Sequence, residues 1–141
     1  MLKSPILMLG GALAAVLVLP AAASAAGTKL SATLSGATGG DAKGSGKFTA
    51  DADPDTGDFC YTLAAKGSDK PTAAHVHSGA AGKDGPPVVT LQITGEGADE
   101  CVAVEPDTLK AIIAAPADYY VNVHSAAFPK GAVRGQLGKG S

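Results

Sequence analysis

The chain has 141 residues and a formal net charge of −2, with 45% hydrophobic and only 4% aromatic residues. This slightly acidic balance, with no basic cluster, excludes a nucleic-acid-binding protein, which needs clustered Lys and Arg. About 115 residues remain when the N-terminal segment described next is set aside, and this length suits one domain.

Residues 1–25 have the pattern of a secretory signal peptide. One early lysine precedes an apolar run over residues 6–19, and small residues define a cleavage site near Ala25. The apolar run is too short to span a membrane, and no second one follows it. We therefore expect a secreted or periplasmic protein whose mature chain, residues 26–141, has ten basic residues, thirteen acidic residues and no membrane span.

From residue 28 onward, short runs of alternating apolar and polar residues are separated by clusters of Gly, Pro, Asp and Ser. This pattern, repeated about every ten residues, predicts an all-β fold, an antiparallel sandwich or barrel. The predicted strands are 28–34, 46–52, 58–65, 72–78, 87–93, 100–104, 119–125 and 132–137. The Gly-rich stretch 35–46 is expected to be a mobile loop or hairpin, and its role is left open.

One segment, residues 105–116, departs from the strand period. Its apolar residues Leu109 and Ile112 recur at helical spacing, Pro106 suits a first helical turn, and Pro116 ends the pattern. The sequence predicts one short helix that crosses between strands.

The two cysteines, Cys60 and Cys101, both lie in the predicted mature chain. An even pair in an oxidising compartment predicts one disulfide. Closing a loop of about 40 residues stabilises a small domain by about 3 to 4 kcal/mol in the chain-entropy model. Paired sulfurs do not bind metal, and the mature chain has no methionine, so a blue-copper site is excluded.

Two of the three histidines lie two residues apart in the fourth predicted strand. Side chains two apart in a strand point the same way, so His75 and His77 share one face. The apolar residues between and before them, Ala74 and Val76, are expected to face the core. Both histidines are therefore predicted on the polar face.

The third histidine lies in the predicted strand 119–125. The same alternation gives the core one set of side chains, Tyr119, Val121 and Val123, and the opposite face the other set, Tyr120, Asn122 and His124. The following strand, 132–137, should pair with it through a tight turn. Arg134, Asn122 and Tyr120 are thus expected beside the histidines.

If the strands that carry the histidines are neighbours, His75, His77 and His124 converge on one patch. Three neutral imidazoles favour a borderline divalent ion, with Cu(II) ahead of Zn(II) in affinity. With only three protein ligands, water would take an open position. The alternative interpretation is that the histidines are ordinary polar residues on the solvated side of a sheet.

Two segments, AAHVHSGAAGKDGPPVVTL and YYVNVHSAAFPKGAVRGQL, together resemble the chordin-type (CHRD) domain of secreted microbial proteins. The resemblance extends over roughly residues 28–138, so residues 26–141 are identified as one CHRD domain. The specific parts are His75-x-His77-x-Gly79, Gly85-Pro86, the strand Tyr120 to His124, and Gly131-x-x-Arg134-Gly135-Gln136-Leu137. The two-cysteine bacterial form of the family also resembles this chain at DFCYTL and ECVAV, which supports the disulfide.

The resemblance implies a Greek-key sandwich or barrel, superoxide dismutase-like or immunoglobulin-like in arrangement. The HVH pair, a distant third histidine and a late arginine are similar to the copper side of copper/zinc superoxide dismutase. That enzyme has a fourth copper histidine that bridges to zinc, and this chain has three histidines in all. A full two-metal site is therefore excluded.

Three functions are consistent with these features. The first is an exported copper-binding protein, with zinc as the other metal considered, and with Arg134 as a charge beside the ligands. The second is an extracellular structural, adhesive or protein-binding module without metal, whose partner is a protein or surface polymer. The third is a copper-only enzyme similar to superoxide dismutase, in which Arg134 attracts the anion. No hydrolase elbow or phosphate loop is present.

The sequence also allows a homodimer. An exposed edge strand is a surface through which two copies of a chain pair, and a metal shared between copies would gain the ligands that one chain lacks.

Overall fold

The computed structural model describes residues 26–36, 39–93 and 97–141. The predicted signal peptide, residues 1–25, lies outside the described residues. The elements are β1 (Thr28–Ser35), β2 (Ser45–Asp53), β3 (Asp58–Lys66), β4 (Pro71–Ser78), β5 (Pro87–Leu91), β6 (Asp99–Ala103), α1 (Pro106–Ala114), a single 3-10 turn (Pro116–Asp118), β7 (Tyr119–Ser125), β8 (Val133–Gln136) and β9 (Gly138–Lys139).

The strands form one antiparallel sheet with the order β5-β4-β7-β8-β1-β2-β3-β6, and β9 pairs with β1. The two ends of this order approach each other, because the Tyr61 hydroxyl of β3 accepts a hydrogen bond from the backbone N–H of Gln92, just beyond β5. The sheet is therefore nearly closed. The predicted all-β sandwich or barrel is confirmed, and α1 is the crossover helix between β6 and β7.

The core lies inside this sheet and follows the predicted alternation. The Phe48 ring of β2 stacks on Phe59 and Tyr61 of β3, with ring centroids 6.1 and 5.8 Å apart. The helix places Leu109 and Ile112 against the same core, both fully buried. Pro106 occupies the first turn of α1, where its missing N–H leaves no bond unmade.

The predicted disulfide between Cys60 and Cys101 is present. The two residues lie directly opposite each other on β3 and β6, at the end of the strand order. The bond thus ties an edge strand to its neighbour.

The described part of the Gly-rich loop between β1 and β2 is anchored by Asp41, whose side chain is buried although it carries charge. Its carboxylate accepts hydrogen bonds from the backbone N–H groups of Lys43 and Ser68, and from the Ser68 hydroxyl. Its own N–H donates to the Ala132 carbonyl at 2.9 Å. The sequence predicted a mobile loop or a hairpin here. The segment connects the antiparallel pair β1 and β2, as in a hairpin, and Asp41 joins it to two distant segments of the chain.

Candidate metal centre

Two neighbouring strands bring the three histidines together. β4 and β7 pair antiparallel, with His75 opposite Asn122, His77 opposite Tyr120, and His124 opposite Ala73. The intervening residues of β4, Ala74 and Val76, are buried in the core, so the histidines lie on the outer face. The strand adjacency on which the predicted cluster depended is therefore present.

The imidazole rings form a compact triangle. Ring centroids are 5.2 Å apart for His75 and His124, 5.5 Å for His75 and His77, and 6.0 Å for His77 and His124. One ring nitrogen from each residue lies within 4.8 Å of the others, and all three side chains are half-buried. Bonds of about 2.0 to 2.1 Å to a shared ion separate its ligands by at most about 4 Å, so small side-chain rotations close the site.

Backbone carbonyls determine the tautomer of two of the rings. His77 Nδ1 lies 2.8 Å from the Gly85 carbonyl oxygen, and His124 Nδ1 lies 3.0 Å from the Pro129 carbonyl oxygen. Because a carbonyl only accepts, each Nδ1 carries the hydrogen, and each neutral ring has its lone pair on Nε2. Metal-binding histidines characteristically donate their other N–H to such a partner.

The Nε2 atom of His77 is buried and has no hydrogen-bond partner. Buried polar atoms are nearly always hydrogen-bonded, so such an atom calls for an explanation. Because Nδ1 is bonded to the Gly85 carbonyl, Nε2 is the nitrogen that His77 can offer to a metal, and a bound cation would satisfy it.

His75 completes the triangle through Nδ1, which lies 3.2 Å from His124 Nε2. Since Nε2 of His124 has the lone pair, His75 donates this hydrogen bond in the metal-free protein. For Nδ1 of His75 to bind a metal, the ring must carry its hydrogen on Nε2 instead. Burial lowers the pKa of His75, and the nearby His124 and His77 lower it further. A neutral ring is the form that binds a metal.

The three flanking residues that the sequence predicted all lie at the cluster. The Tyr120 ring stacks on His77 with centroids 5.0 Å apart and planes 11° from parallel. Asn122 lies between His75 and Arg134 in the cross-strand register. Tyr120 and Asn122 are almost fully buried although they are on the outer face, because loops cover them.

The guanidinium of Arg134 is held by partners within the chain. Its Cζ lies 3.4 Å from the centroid of the Tyr120 ring, Nη1 donates to Asp84 at 2.9 Å, and Nη2 donates to the Lys83 carbonyl. These contacts link β8 to the loop that follows β4. They indicate a positioning role more than the free anion-attracting charge that the dismutase-like hypothesis requires.

Asn122 holds the other loop beside the cluster. Its Nδ2 donates to the Lys130 carbonyl at 3.1 Å, next to the Pro129 carbonyl that binds His124. Gly131 has a φ of 133°, and a Cβ there would lie 2.2 Å from Asn122 Oδ1. Only glycine fits between this loop and the asparagine.

The sequence did not identify the two carbonyl partners or Asp41. Backbone acceptors have no residue-type signature, and the only signal at either position was the Gly85-Pro86 motif of the family resemblance. Asp41 lies in a Gly-rich stretch where an aspartate is typical of a turn. Its burial depends on Ser68, which is distant in sequence.

Within the part of the chain that the structure describes, these histidines are the one group of three or more His, Cys, Asp or Glu side chains close enough to share an ion. Three neutral nitrogens on a half-buried surface leave room for an exchangeable fourth ligand. This donor set suits Cu(II) or Zn(II). Neither cysteine contributes, since both are in the disulfide.

Fold and site together define a small all-β domain with a three-histidine cluster on its outer face. The chain matches the CHRD domain family over residues 30–137, and it belongs to that family. Searches of curated proteins and of solved structures returned no match. Family membership and the disulfide together indicate an extracellular β-domain. Among the described residues, no helix has the length and apolar character needed to cross a membrane.

Proposed function

We propose that this protein is an exported copper-binding protein in which His75, His77 and His124 hold one ion. The observation that carries the proposal is the buried Nε2 of His77, which has no hydrogen-bond partner while its Nδ1 is fixed by a carbonyl. No protein group among the described residues bonds this nitrogen, although its exposed area is almost zero. A cation bound between the three rings satisfies this one.

Copper is the proposed ion because three neutral nitrogen ligands bind Cu(II) more tightly than Zn(II). Zinc is the competing ion, since the same donors and an open position also suit it. When bound, the ion would present one exchangeable position to solvent. The residues of the chain hold it and orient the rings. The carbonyl bonds at Nδ1 leave the Nε2 lone pairs of His77 and His124 available to the ion, and His75 Nδ1 becomes available when the ring carries its hydrogen on Nε2.

Export rests on the predicted signal peptide at residues 1–25, with cleavage near Ala25, and on the disulfide between Cys60 and Cys101. We propose a secreted or periplasmic location for the mature chain. The mass of the protein recovered outside the cytoplasm tests the cleavage site, because cleavage after Ala25 leaves a chain that begins at Ala26.

The test of metal binding is a titration of the oxidised mature chain with Cu(II) and with Zn(II), in which bound metal per chain is measured. We expect about one copper per chain. The His75→Ala, His77→Ala, His124→Ala triple variant should bind none. Thr49→Ala is a matched control, because Thr49 is also a polar outward-facing strand residue but bonds to Thr62 on β2 and β3, away from the histidines. Equal binding by wild type and triple variant would contradict the proposal.

One observation favours a second candidate, an extracellular module that binds a protein or surface polymer without metal. Val88 and Ile93 are exposed large apolar side chains within and just beyond β5, the strand at one end of the order. An exposed strand edge with apolar side chains is a place where another chain pairs, including a second copy of this one. Sedimentation of the metal-free and copper-loaded protein tests the homodimer.

A copper-only dismutase-like activity is the third candidate and follows only if copper binds. Because the Arg134 guanidinium is occupied by Asp84, the Lys83 carbonyl and Tyr120, this candidate has less support than simple binding. A superoxide-consumption assay on the copper-loaded chain tests it directly.

A further inference from the structure

The loop from Gly79 to Pro86 joins β4 to β5 and carries the carbonyl that bonds His77. Its two ends are fixed by backbone hydrogen bonds, from Ser78 N–H to the Pro86 oxygen at 3.0 Å and from Gly79 N–H to the Asp118 oxygen at 2.7 Å. Between these ends, residues 80–84 are exposed. Side chains of β8 make further contacts with this loop, among them Gln136, whose Nε2 donates to the Gly79 carbonyl at 3.0 Å.

Arg134, the only arginine of the chain, contacts the loop closer to Gly85, at Lys83 and Asp84. Its ion pair with Asp84 contributes little by itself, because the Asp84 side chain is 97% exposed. The arginine also bonds the Lys83 carbonyl and stacks on the ring of Tyr120, which is almost fully buried, and the Arg134 side chain is only 21% exposed. These two contacts tie the loop to the sheet.

Tyr120 connects the arginine to the histidine. Tyr120 is on β7, which lies between β4 and β8, so the Tyr120 ring separates His77 from Arg134. Its hydroxyl accepts a hydrogen bond from Gly85 N–H at 3.2 Å, and the Gly85 oxygen accepts from His77 Nδ1. A Cβ on Gly85 would lie 1.7 Å from the Ser78 oxygen, so this peptide is closely confined.

We propose that Arg134 is a positioning residue for the ligand His77. It holds the loop so that the Gly85 carbonyl keeps His77 in the Nδ1–H tautomer, with the Nε2 lone pair directed at the other two histidines. The effect of Arg134 on copper affinity rests on the proposed function, since it presupposes that the histidines bind copper. The positioning itself is a property of the metal-free protein and is measured there.

The Arg134→Lys variant distinguishes an effect of positive charge from an effect of loop positioning. It keeps the positive charge but lacks the planar fork that bonds a carbonyl while stacking on a ring. If the residue acts through charge, Arg134→Lys preserves copper affinity. If it acts by positioning, the variant loses affinity about 10- to 100-fold, which is typical when a partner of a metal ligand is removed.

The test measures imidazole nitrogen shifts by NMR in the metal-free mature chain at pH 8, for wild type, Arg134→Lys and Tyr120→Phe. We expect the Nδ1–H tautomer of His77 in wild type and a shift toward the Nε2–H tautomer in both variants. Tyr120→Phe keeps the stacked ring but removes the acceptor for Gly85 N–H. Lys47→Gln is the control, because it removes the charge of an exposed lysine on β2.

His124 is the internal control in every sample, because its Nδ1 bonds the Pro129 carbonyl on a different loop. An unchanged His124 tautomer shows that a variant is folded around the cluster. An unchanged His77 tautomer in folded Arg134→Lys and Tyr120→Phe would overturn the proposal. Failure of the wild type to bind copper would contradict the proposed function, and the tautomers would still decide the positioning role.

Discussion

Removal of the cross-strand disulfide is expected to lower stability strongly without changing the histidine cluster. In the Cys60→Ala, Cys101→Ala double variant, little packing is lost, because Cys101 is exposed and Cys60 only half-buried. The main effect is therefore on the unfolded chain, which gains the freedom that the cross-link removed.

The magnitude follows from the sequence separation of 41 residues between the cysteines. A closed loop of that length gives about 4 kcal/mol at 25 °C in the chain-entropy model. With an unfolding entropy of about 2.1 cal/mol/K per residue, a domain of about 115 residues loses about 15 °C in Tm. Copper affinity of the folded variant should be unchanged, since β3 and β6 are separated from β4 and β7 in the strand order.

The assay is thermal unfolding of the metal-free chain by circular dichroism, for wild type, the double variant and reduced wild type. Reduced wild type is the control for the substitutions, because it breaks the same bond without changing a residue. A Tm decrease of less than about 3 °C in both samples would refute the chain-entropy reasoning. A large decrease only in the double variant would instead indicate lost packing.

Three further predictions concern single residues. The Ser68 backbone N–H, followed by that of Lys43, holds the pKa of Asp41 below its usual range. The ionised carboxylate therefore stabilises the fold above about pH 4, and this contribution is lost as pH falls through the lowered folded-state pKa. The Asp41→Asn variant should therefore lose less free energy of unfolding than the wild type between pH 6 and pH 3. Denaturant unfolding at the two pH values measures this difference, and equal losses would contradict the prediction. Gly131→Ala should destabilise the domain by about 1 to 3 kcal/mol through its positive φ and its contact with Asn122, and an unchanged Tm would argue against that strain. His77→Ala removes a ligand itself, so it should weaken copper binding by more than the factor of about 10 to 100 that is typical when a hydrogen-bond partner of a ligand is lost. Competition with a chelator would measure the affinity.

The period of two along β4 and β7 was enough to predict which side chains share the outer face. His75 and His77 follow directly from alternation around Val76, and the structure buries Val76 completely. A single site with all three histidines also requires β4 and β7 to be neighbours in the sheet. The alternation of apolar and polar residues does not say which strands are neighbours. The predicted strand bounds agree with the observed ones within two residues, whereas β9, at two residues, is too short to show a period.

Burial on the outer face could not be predicted from alternation. Tyr120 and Asn122 point away from the core, yet both are buried because loops fold over them. The positions of those loops depend on side-chain bonds to backbone carbonyls, from Arg134 to Lys83, 51 residues away, and from Asn122 to Lys130. No pattern in the sequence indicates which residues make such contacts.

The central claim is tested most directly by electron paramagnetic resonance of the mature chain loaded with one equivalent of Cu(II). We expect one copper species per chain whose nitrogen couplings come from three imidazoles. Each single variant, His75→Ala, His77→Ala or His124→Ala, should lose one nitrogen or release the ion. A wild-type spectrum identical to that of copper in buffer, or one that none of the three substitutions changes, would contradict the claim.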